Sequence, residues 1–288
     1  MSIFSGVWIP LVTPFNNGEI DHAALKELVR HYVEAGVSGF VALGTTGEPA
    51  SLTDQEQDAV VWTVLDAAGD IPVIVGVSGN NTQAVCERAT VFDDTPVAGL
   101  LISAPYYIRP SQAGLIGHFT AIANVCKKPI VLYDIPARTG VQLELETLLL
   151  LSQHERIVAV KDCGGIPDKT LGLIRDGGLK VLCGEDLEMF GALCCGASGT
   201  ISASAHLCAD QFVAMFNAIR EERLADAREI WHELVPLVQV MFAEPNPGPV
   251  KAALSLRGHI RNELRAPMTL VSDDLVCRLS GWWSLPRA

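Results

Sequence analysis

What most limits the fold open to this chain is an alternation. Eight short apolar runs, each bounded by polar or glycine residues, are each followed by a segment with helical periodicity. The runs fall at residues 5–15 with their exit loop, 39–44, 71–77, 97–103, 130–133, 157–160, 180–184 and 199–202. The helical segments fall at 24–35, 53–68, 82–92, 111–125, 143–151, 169–174, 187–193 and 210–222. Runs of this length read as strands buried on both faces of a parallel sheet. Repeated strand–helix units with short loops are expected to close into a (β/α)8 TIM barrel. The open alternative would carry a glycine-rich dinucleotide fingerprint after its first strand, and none stands there. Further helical segments at 224–242, 249–256 and 273–279 exceed what eight repeats need. The expected organisation is an α/β barrel over residues 1–223 and a C-terminal helical domain over 224–288, with no flexible linker between them.

Composition narrows the function classes. Hydrophobic residues make up 49% and charged residues 19% of 288, which is the balance of a globular chain with a large core. A net charge of -12 with no basic cluster argues against nucleic acid or an anionic membrane surface as a partner. Eight cysteines, two of them adjacent at Cys194 and Cys195 and none in a CxxC pair, read as reduced thiols in a cytosolic protein. The N-terminus lacks a basic region before its apolar residues, so a signal peptide is not expected. No apolar segment approaches a membrane span.

Active sites of such barrels lie at the carboxyl ends of the strands. The sixth run ends in Lys161 and passes at once into Asp162-Cys163-Gly164-Gly165. An amine held in an apolar pocket loses hydration, its pKa falls, and it becomes a nucleophile able to form a Schiff base with a carbonyl. A lysine that merely snorkels from a strand end would give the same stretch. None of the other lysines, Lys26, Lys127, Lys128, Lys169, Lys180 and Lys251, follows an apolar run in this way. The other strands end in Thr45-Thr46-Gly47-Glu48, in Pro105-Tyr106-Tyr107, and in Tyr133-Asp134 followed by Arg138-Thr139-Gly140. Hydroxyls and amides suit a carboxylate, a tyrosine beside the lysine suits proton transfer, and an arginine suits a second carboxylate. Each has a structural alternative: a capped turn for the threonines, a core aromatic for Tyr133, and a pairing of Arg138 with Glu48 or Asp134.

Gly44-Thr45-Thr46-Gly47-Glu48, Pro105-Tyr106-Tyr107, Tyr133 through Gly140, Val160-Lys161-Asp162 and Glu244-Pro245-Asn246-Pro247 together resemble the dihydrodipicolinate synthase and N-acetylneuraminate lyase family of Schiff-base lyases. The resemblance covers nearly the whole chain, and Arg138-Thr139-Gly140 resembles the synthase branch. It implies that Lys161 forms an imine with pyruvate and that Thr45 and Thr46 hold the pyruvate carboxylate. Tyr133, Thr46 and a neighbouring subunit's copy of Tyr107 would relay protons. Arg138 would orient L-aspartate 4-semialdehyde, with Ile201 and Gly184 lining the site. The implied reaction gives 4-hydroxy-tetrahydrodipicolinate for lysine and diaminopimelate biosynthesis. It needs no metal or organic cofactor, and the implied assembly is a homotetramer built as a dimer of dimers.

The sequence also departs from the family. Pro49, Asp54, Gln57 and Ala84 stand where lysine-regulated members carry polar, basic and acidic groups, although Asn80 and Tyr106 fit. Weak or absent lysine feedback is therefore expected. Cys163-Gly164-Gly165 is not the usual continuation after the lysine, which leaves open another pyruvate-dependent aldolase acting on a different aldehyde. A non-catalytic ligand-binding member is the remaining alternative, and intact Thr46, Tyr133 and Lys161 argue against it.

Overall fold

The computed structural model describes residues 3–284. Eight parallel strands form the barrel: β1 (Gly6–Pro10), β2 (Gly39–Ala42), β3 (Val73–Gly76), β4 (Gly99–Ser103), β5 (Ile130–Asp134), β6 (Ile157–Asp162), β7 (Lys180–Cys183) and β8 (Gly199–Ile201). Each strand is hydrogen-bonded to its sequence neighbours and the sheet closes on itself, so the barrel expected from the alternation is the one found. The helices that follow the strands are α1 (His22–Glu34), α2 (Asp54–Ala68), α3 (Thr82–Thr90), α4 (Gln112–Val125), α5 (Leu145–Leu151), α6 (Pro167–Asp176), α7 (Met189–Cys194) and α8 (Ala209–Arg220). Beyond them come α9 (Leu224–Met241), α10 (Gly248–Leu256) and α11 (Asp273–Ser284).

Local chemistry explains where these helices begin. The Asp21 carboxylate accepts from the Ala24 amide at 3.0 Å, which starts α1 just before its apolar stripe. Thr53 and Glu56 cap each other's backbone amides in a full capping box at the head of α2. Proline occupies the first turn of α6, where its missing N–H costs nothing. Two small elements escape a reading by apolar pattern: an antiparallel pair of two-residue strands, Phe15–Asn16 and Glu19–Ile20, and a helical turn at Pro136–Thr139. Both are shorter than the periods that pattern reading needs.

The chain divides into two compact units. The first holds the segment ending at Trp8 together with Pro72–Ile201. Here β5 and β6 are in register as Leu132↔Val160, Tyr133↔Lys161 and Asp134↔Asp162, and β6 and β7 as Lys161↔Leu182 and Asp162↔Cys183. The second holds Ile9–Ile71 with the chain from Ser202 onward. Its core includes the buried stripe Leu25, Leu28, Val29 and Tyr32 of α1 and the buried faces of α8 and α9.

Candidate active site

Side chains alternate across a strand, so Tyr133 and Lys161 share one face of the sheet while Asp134 and Asp162 share the other. Asp134 and Asp162 bond to Lys169 of α6, which covers the outside of the barrel, so Tyr133 and Lys161 face inward. The Lys161 ammonium donates to the Tyr133 hydroxyl at 3.4 Å and stands 4.4 Å from its ring centroid. Both side chains are buried. Gly184, at the end of β7, leaves room for the lysine, since a Cβ there would lie 2.6 Å from Lys161 Cε and 2.4 Å from Cys163 Sγ.

Burial opposes the Lys161 ammonium, but the Tyr133 hydroxyl that accepts its hydrogen bond and the acidic Asp186 nearby favour it, and the balance holds its pKa above the ordinary lysine value. The expectation of an amine freed by desolvation alone is therefore corrected for the unliganded protein. The cause is the cluster of ionisable neighbours, which no apolar run reveals. Burial pushes the Cys163 thiol up to about 12, so near neutral pH it is uncharged, while the buried Asp186 and its neighbour Glu185 supply acidic groups around the lysine. Any proton lost from Lys161 has a hydroxyl acceptor directly beside it.

On the outer face, Lys169 forms an ion pair with Asp134 and another with Asp162 at 3.0 Å, all three being buried. Lys169, which follows no apolar run in the sequence, is drawn into the interior by these pairs. The signal that could have found it is the matched acid after each of two neighbouring strand-end residues.

The Pro136–Thr139 turn carries Arg138, whose side chain is exposed and makes no ion pair or hydrogen bond among the described residues. The structural alternative for it fails, because Asp134 pairs with Lys169 and Glu48 with Lys251. Tyr107 is 89% exposed at a positive φ of 71°, and its amide donates to the Thr139 carbonyl at 3.1 Å, which joins the Tyr107 loop to the Arg138 turn. Ile201 is fully buried at the end of β8.

In the second compact unit, Thr45 and Thr46 sit in a single helical turn, Thr45–Gly47, just past β2. The Asn246 side-chain amide donates to Thr46 Oγ1 at 2.9 Å across 200 residues of sequence. With its oxygen accepting that bond, the threonine keeps its own proton to donate elsewhere. Thr13 holds the Gly47 carbonyl at 2.7 Å, and a Cβ at Gly47 would lie 3.1 Å from the Leu11 carbonyl. Glu48, in the left-handed region at φ 55°, is anchored by the fully buried Lys251, whose ammonium also donates to the Glu263 carbonyl at 2.9 Å and lies 4.1 Å over the Phe15 ring. Burial lowers the pKa of Lys251 despite Glu48. A lowered pKa does not make it a nucleophile, because its nitrogen is enclosed and fully engaged. Among the described residues no group of three or more metal-ligating side chains converges, and no helix is long and apolar enough to cross a membrane.

Comparison with known proteins identifies the relatives of this chain. Residues 3–280 match the model of the dihydrodipicolinate synthetase family. The chain is 39% identical over 279 residues to 4-hydroxy-tetrahydrodipicolinate synthase 2 of Clostridium acetobutylicum, covering 96% of this chain and 98% of that one. A crystal structure of a dihydrodipicolinate synthase superposes with a TM-score of 0.94 at 38% identity, covering 97% and 98% of the two chains. The dihydrodipicolinate synthase of Thermotoga maritima superposes with a TM-score of 0.95 at 34% identity, covering 97% of each.

Proposed function

Because the chain belongs to the dihydrodipicolinate synthetase family, we propose that it condenses pyruvate with L-aspartate 4-semialdehyde to give 4-hydroxy-tetrahydrodipicolinate, in lysine and diaminopimelate biosynthesis. The observation that carries this reading is the buried Lys161 amine at the end of β6 with the Tyr133 hydroxyl 3.4 Å away. Lys161 adds to the pyruvate ketone and water leaves, giving an imine. The imine is an electron sink, so the methyl group gives up a proton and becomes an enamine carbon. That carbon attacks the aldehyde, and the amine of the second substrate then adds to the imine carbon and displaces Lys161. The lysine thereby does what an electron-sink cofactor does in other enzymes.

Thr45 and Thr46 hold the pyruvate carboxylate in this proposal, with Ile201 and Gly184 lining the site. Tyr133, Thr46 and Tyr107 relay protons, the first of them from its place beside the amine. Arg138 takes the carboxylate of the semialdehyde, and its unengaged guanidinium supports that role. The Tyr107 side chain acts in a neighbouring subunit's site within a homotetramer arranged as a dimer of dimers. Exposure of Tyr106, Tyr107 and Ile108 in succession supports this, since a stretch so apolar favours a covering surface. The barrel with its site is assigned to 1–223, the helical domain to 224–288, and the location to the cytoplasm. Incubating the protein with pyruvate and either L-aspartate 4-semialdehyde or other aldehydes, with product identified by mass spectrometry, tests the reaction. Turnover with another aldehyde and none with the semialdehyde would overturn it.

A further inference from the structure

The outer-face carboxylates take no part in the chemistry above, yet each is the next residue after a reacting one. The register that sets Tyr133 against Lys161 sets Asp134 against Asp162. Two buried carboxylates side by side repel, which would spread the strand ends unless a cation lay between them. Lys169 lies there, bonded to Asp134 and 3.0 Å from Asp162.

The same two carboxylates also hold loops. Asp134 Oδ1 accepts from the Leu143 amide at 3.0 Å, beyond the Arg138 turn, and Asp162 Oδ1 accepts from the Gly164 amide at 3.0 Å, in the loop after Lys161. Asp162 Oδ2 accepts from Thr170 at 2.6 Å. Gly164, one residue of the unusual run after the lysine, lies against the same cluster. A Cβ there would stand 2.3 Å from Lys169 Nζ and 3.0 Å from both carboxylates, so any larger residue would displace the ammonium.

The geometry points to Lys169 as a positioning residue: by bridging Asp134 and Asp162 outside β5 and β6, it holds Tyr133 and Lys161 inside them in the line that imine formation requires. This rests on the reading that Lys161 forms the imine. Displacements of about 1 Å in such a pair cost on the order of 100-fold in rate.

The test measures the rate of pyruvate labelling under borohydride in the wild type and in Lys169→Ala, Gly164→Ala, the Gly164→Ala/Lys169→Ala double variant, and Lys169→Ala/Asp134→Asn. Lys169→Ala and Gly164→Ala should each slow labelling by roughly 10- to 100-fold while the half-saturating pyruvate concentration stays within about threefold. The Gly164→Ala/Lys169→Ala variant should be no slower than Lys169→Ala, because the methyl group then has no ammonium to displace. Asp134→Asn added to Lys169→Ala removes one repelling charge and should restore part of the rate, which also covers failure of the single variant to fold. Wild-type labelling rates in folded variants, or multiplying defects in the Gly164→Ala/Lys169→Ala variant, would overturn the role of Lys169. An unlabelled Lys161 in the wild type would instead overturn the imine reading itself.

Discussion

Acid should weaken the fold through His206. Its ring is buried, with Nδ1 at 2.8 Å from the Ala203 carbonyl and Nε2 accepting from the Val12 amide at 3.3 Å. One nitrogen must donate and the other accept, which specifies the neutral tautomer, and a second proton would point at an N–H. Burial depresses the pKa from 6.5 to about 4. The unfolded chain therefore binds a proton through this window and the folded one does not. The contribution is intact above pH 6.5 and is lost progressively as pH falls towards 4. At about 1.4 kcal/mol per pKa unit the loss from this one group approaches ~3 kcal/mol. Urea unfolding of the wild type and of His206→Asn at several pH values between 7 and 4 isolates it. Asn keeps a donor for Ala203 and removes the titration, so the wild type's advantage should shrink by roughly 3 kcal/mol across the range. A difference between the two that stays constant with pH would refute the reasoning.

Other perturbations should separate site from scaffold. Lys251→Met leaves the Glu48 carboxylate buried without its cation and should cost about 3–5 kcal/mol in urea unfolding; an unchanged midpoint would show that the pair contributes nothing. Arg138→Ala should leave imine formation with pyruvate nearly normal and raise the KM for the semialdehyde, the loss of a charge-assisted hydrogen bond being worth about 1.5–3 kcal/mol; equal damage to both steps would assign Arg138 to pyruvate or to structure. Lysine should not inhibit at sub-millimolar concentration in the steady-state assay. Gln57 donates to the Pro49 and Leu52 carbonyls and the Asn80 side-chain oxygen already accepts from the Tyr106 amide, so the Gln57 donor and the Asn80 acceptor are both engaged within the chain; sub-millimolar inhibition would show that a site has formed from other groups.

The barrel was legible in the chain because the strands are buried on both faces and several helices carry their own start signal, as Asp21, Thr53, Asn81 and Ser111 do. Lys161 was legible for the same reason, standing alone at the end of an apolar run. What lay hidden depends on cross-strand neighbours and long loops. Asp134 and Asp162 become a pair only through the register of β5 and β6, and that pair buries Lys169, which no apolar run marks in the sequence. Asn246 reaches Thr46 across 200 residues, a contact no local pattern announces. The direction of the Lys161 pKa was hidden for a related reason, since desolvation follows from a strand's composition while the opposing groups, Tyr133 of β5 and Asp186 after β7, come from elsewhere in the chain.

The central claim is that Lys161 forms the covalent bond to pyruvate. Borohydride reduction in the presence of pyruvate, followed by peptide mass spectrometry, reads that bond directly. The expected result is one reduced adduct on the peptide that contains Lys161, absent in a folded Lys161→Ala variant. Full labelling of that variant, or an adduct on Lys251, Lys169 or another lysine in the wild type, would contradict it.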